Sequence, residues 1–186
     1  MLGETTAQAS PQQVDTVRRG TFLRLMEEYE PALRRLAAVY VDQHADREDL
    51  FQEIAVGLWQ AIPRFRGDAS ERSWLYRIAH NVAISASTKV RRRGKTEETI
   101  PQGIDYPSRT PTSEQELLVA EKRVLLLEGI RSLSALDRQV VLLHLEGLNY
   151  AQIEEISGIT QSAIASRLTR LREKLREEVQ AGREKR

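Results

Sequence analysis

Apolar side chains recur every three or four residues through most of the chain, which is the spacing that buries one face of an α-helix. No stretch is rich in strand-forming residues. The pattern therefore predicts an all-α fold. The predicted buried stripes, in chain order, are Phe22, Leu25, Met26, Tyr29, Leu33, Leu36, Ala37 and Tyr40; Leu50, Ile54, Leu58 and Ala61; Trp74, Leu75, Ile78, Ala79, Val82 and Ala86; Leu117, Ala120, Val124, Leu127 and Ile130; Leu136, Val140, Leu143 and His144; and Ile164, Leu168, Leu171 and Leu175.

Prolines mark the predicted boundaries of helices and domains. Because proline lacks a backbone N–H, Pro31 is predicted to kink or restart the first helix, and Pro63 to end the second. Residues 96–112 contain three prolines and no periodicity, which is typical of a flexible linker. The predicted organisation is two helical domains and two tails: a mobile tail (1–19), a first domain (20–95), the linker, a second domain (113–178) and a charged tail (179–186).

The second domain ends in a predicted helix-turn-helix. Asn149 and Gln152 form a capping-box pattern, Gly158 lies where a helix needs a left-handed residue to stop, and Thr160 caps the next helix. The outer face of that last helix carries short polar and basic side chains, which suit a DNA major groove. A helical hairpin with a solvated face is the alternative interpretation. The outward residues are Ser162, Ser166, Thr169 and Arg170.

The first domain carries polar features off its apolar stripes. The second helix has an acidic edge, defined here as Asp46, Asp49, Gln52 and Glu53. Residues 64–70 form a basic and aromatic loop with a glycine turn, and the third helix runs into dense positive charge at residues 89–95, which suits phosphate. Taken alone, each of these features is typically a solvated surface. The third helix is predicted to turn five side chains away from its stripe: Arg72, Tyr76, Arg77, His80 and Asn81.

The composition of the chain argues against several classes of protein. The 186 residues include 28 Lys and Arg against 27 Asp and Glu, so the net charge of +1 says nothing about nucleic acid, and only local charge can. With no Cys and three His, a metal site is not expected. No signal-peptide pattern or membrane-length apolar run occurs. We expect a soluble, intracellular, cytoplasmic protein with no cofactor, no small-molecule substrate and no membrane insertion.

Two long motifs carry a resemblance to a known family. The stretches DREDLFQEI (46–54), GLWQAIPRFRGDAS (57–70) and SWLYRIAHN (73–81) resemble the promoter-melting domain of the extracytoplasmic-function (ECF) sigma factors. The stretches LSALDRQVV (133–141) and EGLNYAQI (146–153), with Gly158 and the residues 166–175, resemble their helix-turn-helix domain. The match covers nearly all of the chain except the tail and the linker.

The resemblance implies a bacterial RNA polymerase specificity subunit. Its partners would be the clamp and flap of core RNA polymerase, promoter DNA and, as a family tendency, an anti-sigma factor. The acidic edge (Asp46, Asp49, Gln52, Glu53) would dock on the clamp, while Trp74 stays in the core. The implied contacts with the −10 strand and nearby phosphates are Phe65, Arg66, Gly67, Asp68, Ser70, Arg77, His80, Asn81, Arg91, Arg92 and Arg93. Those with the −35 element are Ser162, Ala165, Ser166, Thr169 and Arg170.

Three residues depart from the family pattern. Ala165 stands where many relatives carry a long basic side chain, so a DNA contact is expected to be missing there. Glu154 replaces a small residue at the crossing of the two helices, and is expected to tilt outward or loosen the crossing. Ser157 replaces an apolar residue in the same helix.

The sequence leaves two other interpretations of the function open. A two-domain DNA-binding regulator that ignores polymerase explains the second domain and leaves the first without a role. A helical protein-interaction module explains both amphipathic halves and leaves the basic run unexplained. An enzyme fits least, because no nucleophile–base pair, metal cluster or phosphate loop is visible.

Overall fold

A computed structural model describes residues 11–41, 43–94 and 114–184 of the chain. Within them the fold is all-α, as predicted, with seven α-helices and a short 3-10 turn, Ile62–Arg64, after the second helix. The helices are α1 (Pro11–Tyr40), α2 (His44–Ala61), α3 (Glu71–Gly94), α4 (Glu114–Ser132), α5 (Ala135–Leu145), α6 (Tyr150–Ser157) and α7 (Gln161–Glu184).

The N-terminal half packs α1, α2 and α3 around one core. The predicted stripes of α1 and α2 supply it: Leu25, Leu33 and Leu36 on α1 and Ile54 and Leu58 on α2 are buried. Gly57 lets α2 approach α3 closely, because a Cβ at this position would lie 3.1 Å from Cγ2 of Val82. An edge-on contact between Phe22 and Trp59, with ring centroids 5.4 Å apart, joins α1 to α2.

The C-terminal half packs α4, α5 and α6 against α7. The stripe of α7 is buried in full, with Ile164, Leu168, Leu171 and Leu175 all inside. Gly129 lies at the crossing of α4 and α7, where a Cβ would lie 2.9 Å from Cδ2 of Leu175. The predicted stripe of α7 is therefore confirmed.

The predicted caps at the two ends of α6 are confirmed. The backbone N–H of Gln152 donates to Oδ1 of Asn149 (2.9 Å), and the Asn149 N–H donates back to Oε1 of Gln152 (3.0 Å). Gly158 ends α6 with φ +72° and donates its N–H to the carbonyl of Glu154. Thr160 immediately precedes α7, and its carbonyl accepts the first intrahelical bond, from Ile164.

Several boundary predictions are wrong. Residues 11–19 belong to α1 rather than to a tail, and α7 continues to Glu184 through most of the predicted charged tail. The helix neither stops nor restarts at Pro31. Pro31 is exposed, so water can bond the carbonyl that lacks its partner. The predicted linker lies outside the described residues.

Some stripe predictions need correction as well. Leu136 is 37 % exposed near the start of α5 instead of buried, while Val140 and Leu143 on the same helix are inside. Tyr76 and His80, predicted to face away from the stripe of α3, are buried. The apolar arc of α3 is thus wider than the sequence suggested.

His80 and Tyr40 form a polar pair inside the N-terminal core. The Tyr40 hydroxyl lies 3.0 Å from Nδ1 of His80, while Nε2 of His80 has no hydrogen-bond partner. Burial of the ring disfavours the imidazolium and lowers the pKa of His80 from 6.5 to about 3. The ring therefore stays neutral at physiological pH.

The two halves also touch each other. Helices α1 and α3 of the N-terminal half contact α4, α5 and α6 of the C-terminal half. Arg131 at the end of α4 donates to the carbonyls of Ala38, in the last turn of α1, and Val41, which follows it. The guanidinium of Arg138 lies over the Tyr40 ring, 5.3 Å from its centroid. We call the whole contact surface between α1 and α3 on one side and α4, α5 and α6 on the other the seam.

Two glycines should respond oppositely to alanine. Neither Gly158 nor Gly20 has a neighbour within 4 Å of an added Cβ, so only backbone conformation differs between them. Gly158→Ala should lower the free energy of unfolding by about 1 kcal/mol, because its φ of +72° is costly for an L side chain. Gly20→Ala, inside α1, should raise it by about 0.5–1 kcal/mol. Urea unfolding followed by circular dichroism measures both, and the same sign at both positions would contradict this account.

The N-terminal half should lose stability in acid because of His80. Since the folded pKa lies below that of an unfolded histidine, the unfolded chain binds more protons as the pH falls from 6.5 toward 3. Between pH 7 and 5 this should cost about 2 kcal/mol. Both tryptophans lie in this half, so urea unfolding followed by their fluorescence reports on it.

The matched variants are His80→Gln and His44→Gln. His80→Gln removes a buried titrating ring. It should therefore reduce the loss of unfolding free energy between pH 7 and 5 by about 2 kcal/mol, whatever its effect on stability at pH 7. The second removes an exposed histidine and should leave the dependence as in the wild type. Equal pH slopes in the wild type and His80→Gln would show that His80 does not titrate as proposed.

Candidate nucleic-acid interface

The outer face of α7 is open in its first three turns. Ser162, Ser166, Thr169 and Arg170 are exposed, as predicted, and Ala165 is half-buried. The hydroxyls of Ser166 and Thr169 donate to the carbonyls four residues earlier, at 3.0 and 3.1 Å, which leaves their oxygen lone pairs directed outward. Arg170 offers five N–H donors in a fixed fork. This face combines acceptors, a methyl group and a strong donor, the groups that read base edges in a major groove.

Local bonds explain how the unusual residues of the helix-turn-helix are tolerated. Glu154 lies at the crossing and accepts a hydrogen bond from Nε2 of Gln161 (2.8 Å), so it ties α6 to the start of α7. The Ser157 hydroxyl donates to the carbonyl of Ile153 (2.7 Å) and accepts from the N–H of Ile159 (3.3 Å). The expected loosening by Glu154 is thus replaced by a specific link, and Ser157 helps to close the turn.

The loop between the 3-10 turn and α3 is braced at both ends. At one end Phe65 packs on Trp74, with ring centroids 4.8 Å apart, so both rings are half-buried. At the other end Ser70 caps α3, accepting from the N–H of Ser73 (3.0 Å). Gly67 turns the chain between them with φ +79°. Arg66, Gly67 and Asp68 are exposed between two fixed points, so the loop can present them to a ligand.

The predicted strand-binding residues on α3 fall into different environments. Asn81 is exposed. Arg77 pairs with Glu155 of α6, with 2.9 Å between the guanidinium and the carboxylate. His80 is fully buried, so the prediction that it contacts a DNA strand is wrong for this conformation. The backbone of residues 91–93 continues α3, but the side chains of Arg91, Arg92 and Arg93 lie outside the described part.

The acidic edge lines an open groove. Asp49, Gln52 and Glu53 are exposed on α2, and Asp46 is half-buried in its first turn. The three exposed residues form one wall of a groove between α2 and α3 whose other wall includes Asn81 and Ser85. Val56, more than half exposed, also lines it. The predicted polymerase face and one predicted strand contact therefore share a single groove.

The sequence did not predict the role of three residues at the seam. Arg35, Arg72 and Tyr76 all bond to Glu146, which follows α5. Their only sequence signal was an arginine or tyrosine close to an apolar stripe, which does not identify a partner. The described residues contain no group of side chains that could hold a metal ion and no helix able to cross a membrane.

Family models match both halves of the chain. The model for sigma-70 region 2 matches residues 25–94, and that for sigma-70 region 4 matches residues 123–175. The first runs from the middle of α1 to the end of α3, and the second runs from α4 into α7. The predicted domains therefore correspond to two known regions of sigma factors.

Curated relatives match over most of the chain. The ECF RNA polymerase sigma-E factor of Haemophilus influenzae is 30% identical over 97% of this chain and 98% of its own length. The sigma-E factor of Escherichia coli is 28% identical over 97% of both. The ECF sigma factor SigM of Mycobacterium tuberculosis is 27% identical over 84% of this chain and 76% of its own.

Solved structures share the fold. RpoE of Bartonella quintana, solved in complex with the anti-sigma factor NepR, superposes with a TM-score of 0.68 at 23% identity, covering 86% of this chain and 97% of that one. CnrH, solved with the cytosolic domain of CnrY, gives 0.61 at 22% identity, covering 88% and 90%. Taken with the two matched regions and the near full-length relatives, the chain belongs to the extracytoplasmic-function (ECF) family of RNA polymerase sigma factors.

Proposed function

We propose that this protein binds core RNA polymerase through the acidic edge of α2, holds a melted −10 strand with the loop before α3, and reads a −35 element with α7. As an ECF sigma factor it is an alternative sigma factor that acts with RNA polymerase. One observation supports the assignment of polymerase binding to α2 and −35 recognition to α7. The acidic edge and the outer face of α7 are both exposed, each on a helix whose apolar stripe is buried.

The proposed docking site is the acidic edge. Exposed carboxylates on a fixed helix give orientation and association rate to a complex with a basic partner. Val56 adds exposed apolar area beside Glu53 on the same groove, and a mixture of charged rim and apolar centre is usual for protein interfaces. The partner would be the clamp of the polymerase, with the flap contacting the C-terminal half.

The proposed −10 site is the braced loop with its neighbours on α3. Phe65, Arg66, Gly67, Asp68 and Asn81 offer a ring, a cation and polar groups of the kind that hold unstacked bases. Ser70 contributes by fixing the start of α3. The positive charge of Arg91, Arg92 and Arg93 would bind backbone phosphates. His80 is buried behind this site, so we assign it a supporting role in the core rather than a contact with DNA.

Two further properties follow as proposals. An anti-sigma factor would hold the protein inactive by covering exposed polymerase and DNA faces, by analogy with the structural neighbour solved with NepR. The protein would work in the cytoplasm, where RNA polymerase is, without catalysing a reaction or binding a cofactor.

Charge reversal on the acidic edge should weaken polymerase binding. Asp49→Lys with Glu53→Lys replaces two exposed carboxylates, so stability should change by less than about 1 kcal/mol in all. Affinity for core polymerase should fall at least tenfold at moderate salt, measured by pull-down and titration. The matched control, Glu173→Lys with Glu177→Lys, makes the same charge change at the same spacing on α7. Equal affinity of both variants would place the docking site elsewhere.

Arg170 should read a base of the upstream element. Arg170→Ala should cost about 1–3 kcal/mol at one base pair, because a bidentate contact with guanine is lost. The assay selects randomised −35 elements with wild-type and variant holoenzymes, followed by run-off transcription. The preference should relax at one upstream position while the −10 preference stays intact.

The control for this experiment is Arg172→Ala, which removes an exposed arginine two residues farther along α7. It should retain the wild-type consensus. A uniform loss of affinity over all upstream variants would make Arg170 a phosphate contact only. A wild-type protein that binds DNA but never supports run-off transcription would favour a DNA-binding regulator instead.

A further inference from the structure

The turn between α6 and α7 holds the start of α7 in a fixed position. The carbonyl of Glu154 accepts from the N–H of Gly158 (2.8 Å), which closes the last turn of α6. The Ser157 hydroxyl bonds to the carbonyl of Ile153 before that glycine and to the N–H of Ile159 after it. The first residues of α7 are therefore presented in one orientation relative to α6.

Gln161, the first residue of α7, is also joined to α6 through its side chain. Its Nε2 donates to Oε2 of Glu154 at 2.8 Å. Gln161 is exposed and Glu154 is half-buried. An ionised carboxylate only accepts hydrogen bonds, so the nitrogen of the amide, and not its oxygen, must face Glu154. The pair thus determines which way round the Gln161 amide lies.

The Gln161 amide keeps a donor and an acceptor for a ligand. It has two N–H groups, and Glu154 engages only one of them. In the part of the chain that the structure describes, the Gln161 side chain makes no other hydrogen bond. The remaining N–H and Oε1 lie side by side. Adenine presents N7 as an acceptor and N6 as a donor in the major groove, and a glutamine amide pairs with both.

The position of Gln161 on α7 suits contact with a base. It adjoins Ser162, whose hydroxyl oxygen lies 3.3 Å from that of Thr160 on the same exposed end of the helix. The N-terminal residues of a recognition helix are the ones that contact base edges. Arg170 lies nine residues farther on, about 13 Å along the helix. Because base pairs are spaced about 3.4 Å apart, Gln161 and Arg170 reach different base pairs.

The charge of Glu154 does not favour DNA binding in general. A carboxylate beside the start of a recognition helix repels phosphates, so it opposes sequence-independent affinity. A hydrogen bond to a charged acceptor is, however, stronger than one between neutral groups. Glu154 therefore lowers affinity on every sequence while it holds the Gln161 amide more firmly than a neutral partner would.

We propose that Gln161 is a further base-reading residue, which recognises an adenine in the −35 element, and that Glu154 is a positioning residue that orients its amide. This inference rests on the proposed function and adds to it the preferred base at one upstream position. It also gives a role to the carboxylate at the crossing of the two helices.

The first test is a selection of randomised −35 elements with holoenzymes that contain the full chain, followed by affinity measurements on the selected DNA and its single-base variants. Gln161→Ala should lower the preference for adenine at one position about tenfold. Every other upstream position, including the one read by Arg170, should keep its preference. The matched control is Gln180→Ala, an exposed glutamine near the far end of α7, which should behave as the wild type. An undiminished adenine preference in Gln161→Ala overturns the inference.

The second test addresses Glu154. Glu154→Ala should lose the preference for the same adenine at the same position. Its affinity for sequences without that adenine should equal or exceed that of the wild type, because a repulsive charge is gone. Glu154→Gln still offers a carbonyl to the Gln161 amide and should retain most of the preference. The control, Glu177→Ala, removes an exposed carboxylate elsewhere on α7 and should change nothing at this position.

A double variant shows whether Glu154 acts through Gln161. Glu154→Ala should have no further effect on base preference when Gln161→Ala is already present. A further loss in the double variant, or no loss in Glu154→Ala alone, would contradict the positioning role. Equal losses at all upstream positions, in a Glu154→Ala protein that circular dichroism shows to be folded, would make Glu154 a structural brace only.

The Arg170→Ala holoenzyme keeps this inference distinct from the proposed function. If Arg170→Ala relaxes one upstream position and Gln161→Ala relaxes none, α7 still reads the −35 element and only the present inference fails. A wild-type holoenzyme that selects no upstream sequence would contradict both.

Discussion

The burial of one apolar stripe on α7 is the constraint on which the C-terminal half depends. Ile164, Leu168, Leu171 and Leu175 pack against the preceding helices, and this contact fixes the rotation of α7 about its axis. Side chains on the other side of the helix must then face solvent. The capping of α6 by Asn149 and its end at Gly158 set the angle at which α7 leaves the turn. Hydrophobic burial therefore orients a polar surface that contributes little to stability itself.

Helix α3 contributes side chains to three different surfaces. Leu75, Ala79 and Ala83 face the core, Asn81 and Ser85 line the groove beside the acidic edge, and Arg72 and Arg77 meet the C-terminal half at the seam. A helix has 3.6 residues per turn, so neighbouring residues point in different directions and such sharing is natural. One helix therefore positions part of the core, one wall of the groove and part of the contact with the C-terminal half.

The seam combines polar contacts with an apolar cluster that continues from one half into the other. The polar contacts include Arg35 of α1 on the carboxylate of Glu146, Arg131 on a carbonyl of α1, and Arg138 over the ring of Tyr40. Interfaces between domains of one chain that resemble transient complexes are more polar than permanent ones.

The sequence by itself determined the helices, most of their buried stripes, the caps of the helix-turn-helix and the outward face of α7. These depend on residues within one or two turns of each other, and local periodicity and turn chemistry suffice to read them. It did not determine that α1 runs through Pro31, that Leu136 is exposed, or that Tyr76 and His80 are buried. Pro31 is exposed, so water can bond the carbonyl that lacks its partner, whereas the environments of Leu136, Tyr76 and His80 depend on which neighbouring helix covers a borderline position. The seam was harder still to predict from the sequence, because Glu146 contacts Arg35 and Tyr76, which are 111 and 70 residues away along the chain. A charged residue can be satisfied by water or by any partner of opposite charge, so only the tertiary structure decides which one it meets.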